Sequence, residues 1–386
     1  MDEHASPSVG TYDASLSIPG MLAERLARDP GGVFLERAAG MGGTWVPMTV
    51  AAFAAEANAV AKGLVASGIE PGDRVGIMSR TRYEWTLLDF ACWQAGAVGV
   101  PIYETSAPEQ VKWIAGDAGV RLVVVETAAH AAVVAQVREE LPDLADVLVL
   151  DEDAVATLVA RGRTAGITDA EIERRSALAD GSSLATIIYT SGTTGQPKGA
   201  ELTHGNFVSI TREGTTGLAE VCAKPYSRTL LFMPLAHVFA RFVEVLCLAS
   251  GAVLGHTPDT RNLLADMATF RPTFILTVPR VFEKVYNSAE QQAGAGIKLQ
   301  VFRWASKVAI TYSRALDTAA GPGIAARTQH AVADALVHRR LRHALGGRVE
   351  YAISGGAPLG ERLGHFFRGI GVRVLEGYGL TETTRS

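Results

Sequence analysis

Cysteine is scarce in this 386-residue chain. Cys92, Cys222 and Cys247 are odd in number and far apart, and no Cys-x-x-Cys occurs. That argues against a disulfide framework and a cysteine zinc site, and it fits a reducing cytosol. An excess of one charge is also missing. The formal net charge is −4 and the pI about 6.2, so nothing marks a nucleic-acid surface. The start, Met1-Asp2-Glu3-His4, is acidic where a secretory signal is basic. Uninterrupted apolar runs are lacking too. The best transmembrane candidate, 230–254, contains His237, Arg241 and Glu244, which are costly in lipid, and Pro234 breaks it early. It reads as a buried loop and helix, with peripheral membrane contact left open.

Apolar residues are plentiful. At 48% hydrophobic, the chain can bury a sizeable core, and its length suits one large domain or two to three ordinary ones. Residues 1–16 are polar and read as a loose tail. From there strands and helices alternate. Thr49 can cap a helix running through Phe53, Ala57, Val60 and Leu64. Arg74–Met78 and Val98–Ile102 read as strands, and Glu84–Ala95 as a helix presenting Trp85, Leu88, Cys92 and Ala95 on one face. Further strands are expected near 121–126 and 147–150, with a helix over 128–141 between them. The alternation implies an α/β fold with a wound, mainly parallel sheet, which binds ligands at the carboxyl ends of its strands. The span 151–181 is irregular and charged, and it reads as a connector marking a sub-domain boundary.

The most informative stretch is Tyr189-Thr190-Ser191-Gly192-Thr193-Thr194-Gly195-Gln196-Pro197-Lys198-Gly199. An apolar strand, 184–189, feeds straight into it. Glycines let backbone N–H groups converge on an anion, hydroxyls add neutral donors, and Lys198 adds a compact positive charge. A Walker A loop is excluded, because Pro197 and Gly199 flank the lysine where that pattern has Gly and Ser/Thr. The alternative is a polar turn between two strands.

Three later stretches carry further polar groups. In Pro234-Leu235-Ala236-His237 a strand runs into proline and then into a helix containing His237. A histidine there is either a packed structural residue or a hydrogen-bond partner for a carboxylate. Arg241 and Glu244 are spaced to pair along that helix. In Ser354-Gly355-Gly356-Ala357-Pro358 a strand ends in a turn of small residues that allows close approach of a ligand. In Gly377-Tyr378-Gly379-Leu380-Thr381-Glu382 a strand feeds an aromatic plane, a hydroxyl and a carboxylate. Between them, 297–318 and 325–345 read as two helices. The first has an apolar stripe of Val301, Trp304, Ala305, Val308, Ala309 and Tyr312.

These four motifs, in this order, resemble the adenylate-forming superfamily of acyl-CoA synthetases, luciferases and peptide-synthetase adenylation domains. The helical pair within 291–345 and Thr277-Val278-Pro279-Arg280 are similar to the bacterial long-chain fatty acyl-CoA synthetases. The resemblance implies the large N-terminal, AMP-binding domain of that fold over 17–386, with stacked wound sheets and flanking helices. It implies ATP, Mg²⁺ and CoA as reactants and a fatty acid as substrate. It places Thr190, Ser191, Gly192, Thr193, Thr194, Gly195 and Lys198 on the phosphates. Gly355, Gly356, Ala357, Gly377, Tyr378 and Gly379 would lie around adenine. His237 would sit beside the carboxylate, Thr381 on the α-phosphate, and Glu382 with Thr194 at Mg²⁺. Family members continue with a ribose-binding Asp, a hinge and a small C-terminal domain bearing a catalytic Lys. None can be assigned here, so a C-terminally truncated, cytoplasmic or membrane-associated ligase of impaired activity is expected, with dimerisation open. A fatty acyl-AMP ligase and a non-catalytic nucleotide-binding fragment remain the alternatives.

Overall fold

The computed structural model describes residues 14–39, 43–190 and 196–377. Hydroxyl caps set several helix starts. Thr49 accepts from Ala52 N at 3.1 Å and opens the helix Val50–Ala66, as its sequence position predicts. Ser17 opens Ile18–Arg28 in the same way, and Thr203 opens His204–Gly217.

Among the described residues thirteen strands follow in chain order: β1 (Val33–Ala39), β2 (Thr44–Thr49), β3 (Arg74–Met78), β4 (Val98–Ile102), β5 (Val120–Val125), β6 (Asp146–Val149), β7 (Leu184–Thr190), β8 (Lys198–Thr203), β9 (Arg228–Leu231), β10 (Val253–His256), β11 (Phe274–Thr277), β12 (Tyr351–Ser354) and β13 (Arg373–Glu376). They form three sheets, ordered β6-β5-β3-β4-β7-β8, β2-β1-β10-β9 and β11-β12-β13. The first is parallel except for its last pair, and the third is wholly parallel. Thr273 joins the second sheet to the third, because its N–H and Oγ1 bond Arg228 O and N at 2.9 Å each. The expected α/β fold of wound sheets with flanking helices is therefore observed.

The six-stranded sheet is covered on both faces, which is why its strands are short continuous apolar runs. Val75 and Ile77 of β3 point into the main core, with Phe53, Val60, Leu88 and Phe90. Met78, Val100 and Ile102 point the other way, toward Val111, Ile114 and Val134. The helix Tyr83–Gln94 is buried nearly all round, not on one face, because it lies between layers. Cys92, Cys222 and Cys247 are free and buried, and burial pushes the Cys247 thiol far up.

Several expectations change. The span 151–181 does not divide the sheet, since β4 and β7 pair across it (Gly99↔Thr186), and it contains the helices Ala154–Thr164 and Asp169–Ser176. The expected helix over 128–141 ends at Ala135. The stretch 230–254 is a strand, a loop and the helix Val238–Ser250, and no described helix is long and apolar enough to cross a membrane. In Ile297–Ala315 the buried face carries Phe302, Ala305, Val308 and Ala309, while Trp304 points outward at 37% exposure. The second helix of that pair is Ile324–Ala333, continued by a π-helical turn Asp334–His338 and Arg339–Ala344.

Candidate active site

The two strands that flank the expected phosphate loop are neighbours in the first sheet. β7 and β8 pair antiparallel, with Thr190 opposite Lys198. Thr190 is half-buried and Lys198 exposed. Gly199 is a packing requirement, because a Cβ there would lie 2.8 Å from Ile187 Cγ2 and 3.2 Å from Tyr189 Cζ. Ser191, Gly192, Thr193, Thr194 and Gly195 lie outside the described residues. The helix Pro108–Ala118 braces both stems. Trp113 Nε1 donates to Pro197 O at 2.8 Å, and Tyr189 OH donates to Asp117 Oδ2 at 2.5 Å. Burial and then Asp117 push the Tyr189 phenol upward, so it stays a donor. Trp113 and Asp117 were not singled out from the sequence. Their four-residue spacing on one helix was the available signal.

His237 is the N-cap of Val238–Ser250 and not inside a helix. Its Nδ1 accepts from Phe239 N at 3.2 Å, so the ring proton is assigned to Nε2. The side chain is solvent-accessible. Protein nevertheless surrounds much of the ring, and this partial desolvation lowers its pKa, which favours neutral imidazole at neutral pH. Nε2–H can then donate to a carboxylate oxygen. The loop before it is fixed by buried Thr81, which donates from Oγ1 to Met233 O at 2.6 Å and accepts from Leu235 N at 3.2 Å.

The glycine turn closes the carboxyl ends of the third sheet. Gly355 N donates to Thr277 O at 3.0 Å, and Gly377 N to Ser354 O at 2.8 Å. Gly356 has φ +78°, a left-handed conformation that glycine adopts without strain. Glu376 Oε1 accepts from Leu359 N at 3.2 Å, which ties the turn to the following strand. Ala357 and Gly377 are exposed. Phe239, two residues after His237, packs on Gly355. Phe239 thus links the helix capped by His237 to Gly355, and Gly377 is bonded to Ser354 just before that turn. Tyr378, Gly379, Thr381 and Glu382 lie outside the described residues, as does Thr194 of the expected magnesium pair. Among the described residues no three His, Cys, Asp or Glu side chains cluster to hold a metal.

Arg241 does not pair with Glu244. It is buried and bonds Asp89, from Nη2 to Oδ1 at 2.5 Å. Burial pushes the Glu244 carboxyl well above its usual range, with Asp89 adding to the rise. Burial also raises Asp89, against the pull of Arg241. Arg280 is exposed at the start of the helix Pro279–Gln292.

The α/β fold is shared with solved structures. The N-terminal domain of FACL13 from Mycobacterium tuberculosis, solved with an inhibitor, matches with TM-score 0.69 at 24% identity, over 95% of this chain and 77% of that one. An A-PCP didomain of carboxylic acid reductase from Segniliparus rugosus with AMP matches with TM-score 0.68 at 22% identity, over 95% and 53%. The AMP-binding enzyme family matches residues 22–385, and the chain belongs to that family. It is 44% identical over 380 residues to "Long-chain-fatty-acid--CoA ligase FadD15" of Mycobacterium bovis, covering 98% of this chain and 62% of the relative. It is 31% identical over 334 residues to human "Long-chain-fatty-acid--CoA ligase 1", covering 81% and 46%. The chain thus spans less than two thirds of the length of these curated relatives.

Proposed function

We propose that this chain is the adenylating part of an AMP-forming long-chain fatty acid–CoA ligase. The observation that carries the reading is that Phe239, whose N–H bonds the His237 ring, packs on Gly355 of the glycine turn and leaves His237 Nε2–H available. The FadD15 relatives support the fatty acid as substrate. In the first half-reaction a fatty carboxylate oxygen attacks the α-phosphorus of ATP and pyrophosphate leaves. In the second, CoA thiolate displaces AMP to give the thioester. His237 orients the attacking carboxylate. Thr190, Lys198 and the intervening residues 191–195 hold the β- and γ-phosphates, and Gly355, Gly356, Ala357, Gly377, Tyr378 and Gly379 bind adenine. Thr381 bonds the α-phosphate. Glu382 and Thr194 would hold Mg²⁺, a hard ion suited to carboxylate and phosphate oxygens, which would supply charge neutralisation. Positioning and electrostatics are what this step needs most.

The test is ATP–pyrophosphate exchange with palmitate, followed by thioester formation with CoA. Exchange dependent on fatty acid supports the reading. Exchange without CoA transfer would favour a fatty acyl-AMP ligase, and neither would leave a nucleotide-binding fragment. His237→Ala should lower kcat/KM for the acid at least about tenfold, with little change in the KM for ATP.

The helical pair within 291–345 is proposed as a helical insertion and as a membrane-facing surface. Residues 296–348 hold nine Lys/Arg against two Asp, in a chain whose net charge is −4. Trp304, Ile324, Val332 and Leu336 are exposed there. Basic side chains mixed with exposed apolar ones suit an anionic lipid surface. Co-sedimentation with phosphatidylglycerol vesicles, lost in Trp304→Ser/Leu336→Ser, tests it.

A further inference from the structure

One helical turn beyond His237, Arg241 is only 1% exposed, and its guanidinium spans two other elements. Nη2 donates to Asp89 Oδ1 at 2.5 Å, on the helix Tyr83–Gln94. Nη1 donates to Thr186 Oγ1 at 2.8 Å, on β7, and that hydroxyl donates onward to Gly99 O on β4 at 2.6 Å. Trp93 lies 5.7 Å from the guanidinium carbon, and its Nε1 donates to Ala185 O at 2.9 Å. Gly99 makes the room, since a Cβ there would stand 3.0 Å from Arg241 Nη2. On the same helix, Glu244 Oε2 accepts from Thr86 Oγ1 at 2.9 Å, and Thr86 also meets His256 Nε2 at 2.9 Å.

A buried ion pair adds little stability over an apolar pair of the same shape. What a planar guanidinium adds is geometry, because its fork satisfies two acceptors in only one orientation. Thr186 is four residues, roughly 13 Å of strand, before Thr190 and the phosphate loop. Arg241 is four residues, roughly 6 Å of helix, after His237.

We propose that Arg241 is a positioning residue for adenylation: it locks the strand entering the phosphate loop to the helix that begins at His237. The donors for the polyphosphate and the donor for the acyl carboxylate then keep a fixed separation. Misplacement by about 1 Å is enough to cost on the order of 100-fold in rate.

The inference rests on the adenylation reading for its kinetic consequence only, and the experiment has two arms. Thr186→Val removes the acceptor with little change of shape, and Thr186→Ser keeps it. In the first arm, amide hydrogen exchange is followed in the intact chain. The bridge predicts faster exchange in 238–245 as well as 187–190 for Thr186→Val, and wild-type behaviour for Thr186→Ser. Faster exchange confined to the substituted strand overturns the bridge. Should Thr186→Val not fold, Arg241→Lys serves, because it keeps a positive charge beside Asp89 and loses the second arm of the fork, with the rise then expected at 187–190. In the second arm, kcat for ATP–pyrophosphate exchange falls about 10- to 100-fold in Thr186→Val with KM for ATP within about threefold, and Thr186→Ser restores it. Unchanged kcat with only a lower melting temperature overturns the positioning role. A wild-type chain with no pyrophosphate exchange refutes the adenylation reading, and the hydrogen-exchange arm still decides the bridge.

Discussion

The ring of Phe239 lies on Gly355: a Cβ at Gly355 would stand 3.2 Å from Phe239 Cε1 and Cζ. This contact couples the histidine cap to the glycine turn. Gly355→Val forces the ring away and should lower kcat/KM for the fatty acid at least about tenfold. Gly355→Ala needs a shift of only a few tenths of an ångström and should be milder. Substrate-dependent pyrophosphate exchange checks both, and equal rates in Gly355→Val would refute the coupling.

Trp113 donates one hydrogen bond to Pro197 O, between the proposed phosphate loop and β8. A hydrogen bond of this kind contributes about 1 kcal/mol. Trp113→Phe keeps the packing and loses the bond, so ATP affinity should fall about fivefold with a melting temperature near wild type. Calorimetric titration with ATP reads this directly.

Asp89 neutralises Arg241 in the core. Removing one partner leaves a buried charge uncompensated, which costs about 3–5 kcal/mol. Asp89→Ala should therefore unfold at markedly lower denaturant concentration. A midpoint shift near zero would contradict the pairing.

His204 and His256 are buried, and desolvation lowers both pKa values to about 4. In the unfolded chain a histidine titrates near 6.5. Below that pH the unfolded state binds more protons than the folded one, so stability falls as pH drops from about 6.5 toward about 4. The slope is up to about 1.4 kcal/mol per pH unit for each histidine, and above about 6.5 neither contributes. His204 Nδ1 accepts from Ile18 N at 3.4 Å, and His204→Asn should flatten this part of the profile in denaturant titrations at several pH values.

Much of the first sheet was legible in advance. β3 and β4 have the predicted limits, because short apolar runs between turn signals fit a strand buried on both faces. β1 and β10 were not read. They pair with each other (Leu35↔Leu254), and neither has an alternating pattern that announces so distant a partner. Trp304 was assigned to the buried stripe of its helix, yet that face is set by packing on Glu361–Gly369, where Gly369 would place a Cβ 2.2 Å from Ala309 O. Of the site, His237, Lys198 and the two glycine turns were visible as motifs. Thr81, Trp113 and Asp117 were not, since each acts by reaching another segment.

By itself, the sequence determined the chemical groups and their order along the chain: hydroxyls and glycines after a strand, a histidine after a proline, and small residues at a strand end. Those follow from local backbone needs and side-chain chemistry, which neighbouring residues settle. Only the tertiary structure decided partners. Arg241 has Glu244 three residues away, yet it bonds Asp89, 152 residues distant. Hydrogen bonds form where packing brings a donor and an acceptor to about 3 Å in the right direction, and that distance is a property of the folded layers.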